Sequence, residues 1–150
     1  LGTLNSTWYL TGVQLEVGEK ATPFEHRSFG DELRRCQRYF YQVVGGEETG
    51  LNKNICNISF YQAGYAQGVV STPTSMRATP SIDQSTGTNY FGFSSGNAVD
   101  SFDAWTGIDS YSHKNQVSIY VTSGVSATQG DGGVAFSTNA SAGLAFDAEL

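Results

Sequence analysis

From residue 38 onward the hydrophobic pattern of this chain has a period of two, and it keeps that period almost to its end. "RYFYQVV" at 38–44 and "NICNISFYQ" at 54–62 alternate apolar with polar positions, which sends successive side chains to opposite faces of an extended backbone. Further segments of this kind lie at 65–71, 78–83, 88–93, 98–105, 115–122, 133–137 and 143–149, separated by Gly, Asn and Ser. Short strands recurring roughly every ten residues predict a mainly β protein, an antiparallel β-sandwich or jelly roll. "VVGGEETGLN", at 43–52, supplies the turn residues of a hairpin or longer β-loop between the first two strands. At the other end, "GLAFDAEL" puts Leu144, Phe146 and Ala148 on one face, as a terminal strand docked in the sheet would.

The composition agrees with many turns and an uncharged polar surface. There are 18 Gly, charged residues make up only 15%, and Ser, Thr, Asn and Gln fill long stretches. A chain of 150 residues suits one domain with an N-terminal appendage and can bury a core without disulfides or metals. Cys36 and Cys56 form no CxxC and have no neighbouring His cluster, so neither a zinc site nor a redox motif is written here. A disulfide between them and two free thiols acting as small hydrophobes both remain open. "DSFD" and "DGG" offer oxygen ligands of the kind Ca²⁺ accepts, yet without EF-hand spacing, and no metal or cofactor is expected.

The formal net charge is −6, and of the bases beyond residue 77 only Lys114 remains, whereas Arg27, Arg34, Arg35 and Arg38 crowd together. That distribution argues against nucleic acid or anionic membrane as partner, since both need clustered cations. Neither a signal peptide nor a membrane span is visible, and membrane insertion is not expected. An opening on Leu1 reads as a fragment or processed product.

Before the β-rich region, "TWYLTGVQLEV" at 7–17 places Tyr9, Thr11, Val13, Leu15 and Val17 on one face, with Trp8 and Leu10 on the other, and predicts a strand half-buried against a core. Gly18 and Pro23 end it. In "SFGDELRRCQRYF", Phe29, Leu33, Cys36 and Phe40 recur at the spacing of one helical face. Ser28 is a candidate N-cap, Asp31 and Glu32 lie in the first turn, and Arg34, Arg35 and Arg38 lie toward the last. One short helix near residues 29–39 is predicted.

"TGVQLEVGEKATPFEHRSFGDELRRCQRYF", residues 11–40, resembles a segment of tail-fibre and other virion proteins of tailed bacteriophages, through Gln14, Leu15, Glu16, Gly18, Ala21, Pro23, Phe24, Glu25, Arg27, Cys36, Gln37, Arg38 and Tyr39. With "PTSMRATPS" at 73–81 and the closing "FDAEL", the resemblance covers about a third of the chain, and 84–143 has none. In that family the segment joins a jelly-roll, carbohydrate-binding-like module to a C-terminal β-rich tip. The resemblance therefore implies that residues 1–25 are the terminal strand and exit of an upstream module, and 26–150 a C-terminal tip domain. It further implies a homotrimer on the virion, in contact with other virion proteins.

For catalysis the residues offer little. His26 and His113 are the only histidines, and no GxSxG is present. Asp100, Asp103 and Asp109 surround Trp105 in "AVDSFDAWTGIDSYSH", where they could be paired carboxylates across a glycan cleft or simply turn-formers. The same stretch holds the candidate sugar site: Trp105, Tyr111, Tyr90 and His113 as flat platforms, Asp103 and Asp109 as polar partners. Phe91, Phe93 and Phe102 belong to the core, and Trp105 could belong with them. Tyr39, Tyr41, Tyr61, Tyr65 and Tyr120 sit on strands with two apolar faces and, with Arg34 and Arg38, are candidates for a subunit interface. The Arg cluster reads equally as a solvated helix face. The strings at Asn5, Asn57 and Asn139 would carry glycans only in a secreted eukaryotic chain.

Together these readings predict a non-enzymatic virion protein, the tip of a tail fibre or appendage, that attaches to a bacterial surface glycan. The alternatives are a capsid or tail decoration protein bound to virion neighbours, a glycan depolymerase using Asp103 and Asp109, and a free carbohydrate-binding module, which would be monomeric.

Overall fold

A computed structural model describes residues 7, 9–20, 22–45, 50–96, 98–126 and 128–149. One helix, α1 (Phe29–Gln37), precedes ten strands: β1 (Phe40–Val44), β2 (Asn54–Gln62), β3 (Tyr65–Ser71), β4 (Ser81–Gln84), β5 (Phe91–Ser95), β6 (Ala98–Phe102), β7 (Gly107–Ile108), β8 (Gln116–Val121), β9 (Gly132–Ser137) and β10 (Leu144–Asp147). They form two antiparallel sheets, β1-β10-β4 and β6-β5-β9-β2-β3-β8-β7. Only Asp103–Thr106 separate the strands at the two edges of the larger sheet, which requires that sheet to curl.

A single core takes side chains from both sheets: Val44, Leu144 and Phe146 from the smaller, and Phe60, Ala66, Phe91, Phe93, Val117, Ile119, Val121 and Ala135 from the larger. This is the antiparallel β-sandwich that the period-two pattern predicts. Phe60 of β2 packs edge-on to Phe93 of β5 across the intervening β9 at 5.0 Å, and Phe91 lies against Phe102 of the adjacent β6 at 5.7 Å, so the core phenylalanines interlock along the large sheet. The closing strand runs down the middle of the small sheet with Leu144 and Phe146 fully buried, as its alternation predicts.

Three expectations need correction. β1 and β2 do not pair with each other; β1 pairs with β10 and β2 with β3 and β9, so the connection from 45 to 53 is a passage between sheets and not a hairpin, and residues 46–49 of it lie outside the described residues. The segment 98–105 is not one strand, because the ladder stops at Phe102 and resumes as β7, which the pattern does not reveal. Of the two thiol alternatives left open, the free one holds: Cys36 is exposed on α1, while Cys56, on β2 of the large sheet, packs against the core, where loss of solvation pushes its thiol up to about 12.

The third correction concerns the start of the chain. Described residues of 7–17 pair with no strand, and Leu15 is 99% exposed; Trp8 lies outside the described residues. Alternation alone makes an extended segment, but a strand also needs an edge to bond to. Here side chains tie the segment to itself. The Glu16 carboxylate accepts the Thr22 amide N–H (2.5 Å) and hydroxyl (2.6 Å), which holds its pKa below the usual range. Gln14 accepts the Glu25 N–H at 2.8 Å, and Arg27 bridges Glu25 to Glu32 of α1.

Ser28 caps α1 as expected, its hydroxyl accepting the Asp31 N–H at 3.2 Å, and Arg38 closes the other end. The helical stripe Phe29, Leu33, Cys36 and Phe40 is present but stays exposed, and no residue of α1 is buried. A helix of nine residues has little stability of its own, and this one presents its amphipathic face to solvent. No described helix is long and apolar enough to cross a membrane.

Candidate functional site

On β2, β3 and β8 the residues that alternate with the buried ones point away from the core, and at one end of these strands three of them are tyrosines. Tyr65 on β3 stacks face to face on Tyr120 of β8, with centroids 5.4 Å apart and planes within 6°. Tyr61, ending β2, meets Tyr65 edge-on at 6.1 Å. Register explains the meeting: Ala66 lies opposite Val121 and Phe60 opposite Ala66, so the outward neighbours Tyr61, Tyr65 and Tyr120 fall diagonally within ring reach.

Asp109, just past β7, anchors this ledge. One carboxylate oxygen accepts the Tyr65 hydroxyl at 3.1 Å; the other accepts the Tyr111 N–H at 3.1 Å and the Ser110 hydroxyl at 3.3 Å. The turn is fixed further by Asp109 N–H donating to Ser118 O (2.8 Å) and by the Ser112 hydroxyl, which accepts the Ser118 N–H at 2.8 Å. Tyr111 is thereby held outward and is 77% exposed, while Tyr61 is 70% exposed. Tyr65 and Tyr120 are half-buried, and Tyr65 backs Tyr61, while Tyr111 is joined to them through Asp109. Next to the rings, Asn57, Ser59, Gln67 and Val69 line a shallow depression, with Gln67 donating to the Ser118 hydroxyl at 2.7 Å.

Chemically this is an amphipathic platform: ring surface for apolar C–H faces, with amides and hydroxyls alongside to pair with polar groups. Partial burial, then the bond to Asp109 and its charge, push the Tyr65 phenol up to about 12 from its usual 10.0. Folding thus favours the protonated phenol. That stabilisation is complete below pH 10 and fades as pH rises from 10 toward 12, as the unfolded chain ionises first. A spectrophotometric titration is expected to show a late phenolate step that Tyr65→Phe removes; a titration curve left unchanged by Tyr65→Phe at its alkaline end would contradict the arrangement.

The structure divides the six sugar-site candidates. Tyr111 and Asp109 belong to the ledge. His113 is exposed further along the same connection, where its backbone bridges Gln116. Asp103 and Tyr90 are on the β5–β6 pair: Asp103 accepts the Asn89 N–H at 2.9 Å, and Tyr90 packs half-buried against the core. Trp105 is a correction, being 3% exposed and wedged against Phe102 at 5.1 Å and Phe91 at 6.3 Å, so it belongs to the core and cannot stack on a ligand. Gln84 holds its backbone from both sides, accepting its N–H at 2.9 Å and donating to its carbonyl at 2.8 Å.

The three acids do different jobs. Asp100 takes the amide and hydroxyl of Ser126, Asp103 holds Asn89, and Asp109 holds the ledge. Among the described residues no three metal-ligating side chains cluster. Of the interface candidates, Tyr61 is on the ledge and Tyr41 packs half-buried against the core. Tyr39 lies exposed beneath the Arg77 guanidinium at 5.8 Å, and Arg34 and Arg38 remain exposed at the end of α1. A second concavity, of about 300 Å³, is lined by Gln42, Asp83, Ser85, Ser141 and Gly143 on the small sheet; Gln42 is already engaged with the carbonyls of Val44 and Leu144.

Residue spacing could not have gathered Gln67, Tyr65 and Tyr120 into one binding face, because that face is assembled by register across three strands. Their alternation with buried neighbours was the available signal. Compared with known protein families, characterised proteins and solved structures, the chain matches none.

Proposed function

We propose that this chain is the C-terminal tip of a phage tail fibre or related virion appendage, and that it attaches to bacterial surface glycans through the ledge of Tyr61, Tyr65, Tyr111 and Tyr120. The observation that carries the attachment is the ledge itself: exposed Tyr61 backed by the stacked Tyr65 and Tyr120, exposed Tyr111 tied to Asp109 by its N–H, and an amide and hydroxyl strip beside them on an open sheet face. The resemblance of residues 11–40 supports the virion setting. Attachment works by avidity. An open ledge binds each sugar weakly, but copies presented together on one tip engage a repeating surface glycan at high effective concentration. No covalent step is needed.

The trimer in this reading draws on α1 and the segment before it, whose Leu15, Phe29 and Leu33 stand exposed among the described residues. The same exposure favours a second reading, a capsid or tail decoration protein in which virion neighbours supply that cover. Light scattering over a tenfold dilution, paired with binding of the labelled chain to a panel of bacterial cells, separates the two. A concentration-independent trimer that binds cells supports the tip. A monomer that binds no cells points to the decoration protein.

A further inference from the structure

Resting on the glycan reading, and deepening it, we infer that the ledge selects neutral polysaccharide and rejects polyanionic polysaccharide. No positively charged side chain belongs to the ledge or the strip beside it: their residues are Tyr61, Tyr65, Tyr111, Tyr120, Asn57, Ser59, Gln67, Val69 and the anion Asp109. The bases of the β-rich body lie elsewhere along the chain. Lys53 precedes β2 while Tyr61 ends it, a distance of roughly 25 Å along an extended strand. Lys114 lies in the turn before β8, six residues from Tyr120 and three from Tyr111, at the tip of the turn where its carbonyl accepts the Met76 N–H at 2.7 Å, and Arg77 covers Tyr39.

A carboxylate- or sulfate-bearing sugar placed on these rings would meet Asp109 without a compensating cation. Its own hydration would be lost to amides and hydroxyls alone. Asp109 already accepts three bonds, from Tyr65, Tyr111 and Ser110. It is a positioning residue for the rings. Uncharged pyranoses fit what remains: apolar ring faces against Tyr61 and Tyr111, hydroxyls toward Asn57, Ser59 and Gln67.

The test is electrophoresis of the full chain through native gels containing dextran, mannan or galactomannan on one side and polygalacturonate or alginate on the other, at low and high salt. At least one neutral gel is expected to retard the chain, insensitively to salt, with retardation lost in Tyr61→Ala. Binding in the acidic gels is expected to be at least about tenfold weaker. Retardation mainly by polygalacturonate or alginate, relieved by salt, would overturn the selectivity while leaving glycan attachment standing. Retardation in none of the five gels, with no binding to bacterial cells, would overturn both.

Discussion

Trp105→Ala is expected to cost about 3–5 kcal/mol of folding stability, seen by calorimetry as a fall in the midpoint of roughly 10 °C. Trp105 is the largest side chain at the point where the chain crosses from β6 to β7, and it is 3% exposed between Phe91 and Phe102. Its backbone is the hinge on which Gln84 of the small sheet joins the large one, so the cavity opens where the two sheets are tied. Trp105→Phe should be much milder, because the indole N–H has no partner among the described residues and only ring volume is at stake. If Trp105 were instead a sugar platform, the Ala variant would keep its midpoint and lose binding.

A second large effect is expected from Gly133→Val. A Cβ at this position would stand 2.3 Å from the backbone oxygen of Ser94 and 3.3 Å from the Ser95 Cβ, on the strand paired with it. Backbone cannot swing aside as a long side chain can, so β5 and β9 must separate locally, at a cost of about 1–3 kcal/mol or more. Gly132→Ala is the control, since the nearest atom to its Cβ is the Ile58 oxygen at 3.8 Å, an ordinary contact. Equal melting of the two variants would show that the close approach of β5 and β9 is not as described.

Local patterns in the sequence carried much of the fold. Ser28 followed by Asp31 and Glu32 marks the start of α1, because capping is decided within one helical turn. Strand positions follow from alternation, and Leu144 and Phe146 are buried as their spacing requires. What local patterns do not hold is which edge meets which. β1 pairs with β10, about a hundred residues away, and nothing near Tyr41 names Phe146 as its partner. The same limit explains the segment 7–17, whose alternation is real but finds no edge.

The site was half legible for a related reason. Tyr111 and Asp109 could be picked out because a turn with polar neighbours is visible locally. Trp105 sits in the same polar company, between Asp103 and Asp109, yet turns inward while they turn out. Tyr61, Tyr65 and Tyr120 read as surplus aromatics on strands with two apolar faces, suited to a subunit contact. Only the register of β2, β3 and β8 makes one ledge of them.

The measurement that bears most directly on this account is the affinity for bacterial cells, or for polysaccharide extracted from them, of the chain and of its Tyr61→Ala, Tyr111→Ala double variant, with thermal midpoints taken alongside. Each exposed ring contributes about 0.5–1.5 kcal/mol of stacking, so together their loss should weaken binding about fivefold or more while the midpoint stays in place. Unchanged binding by a well-folded double variant would contradict the ledge as the attachment site.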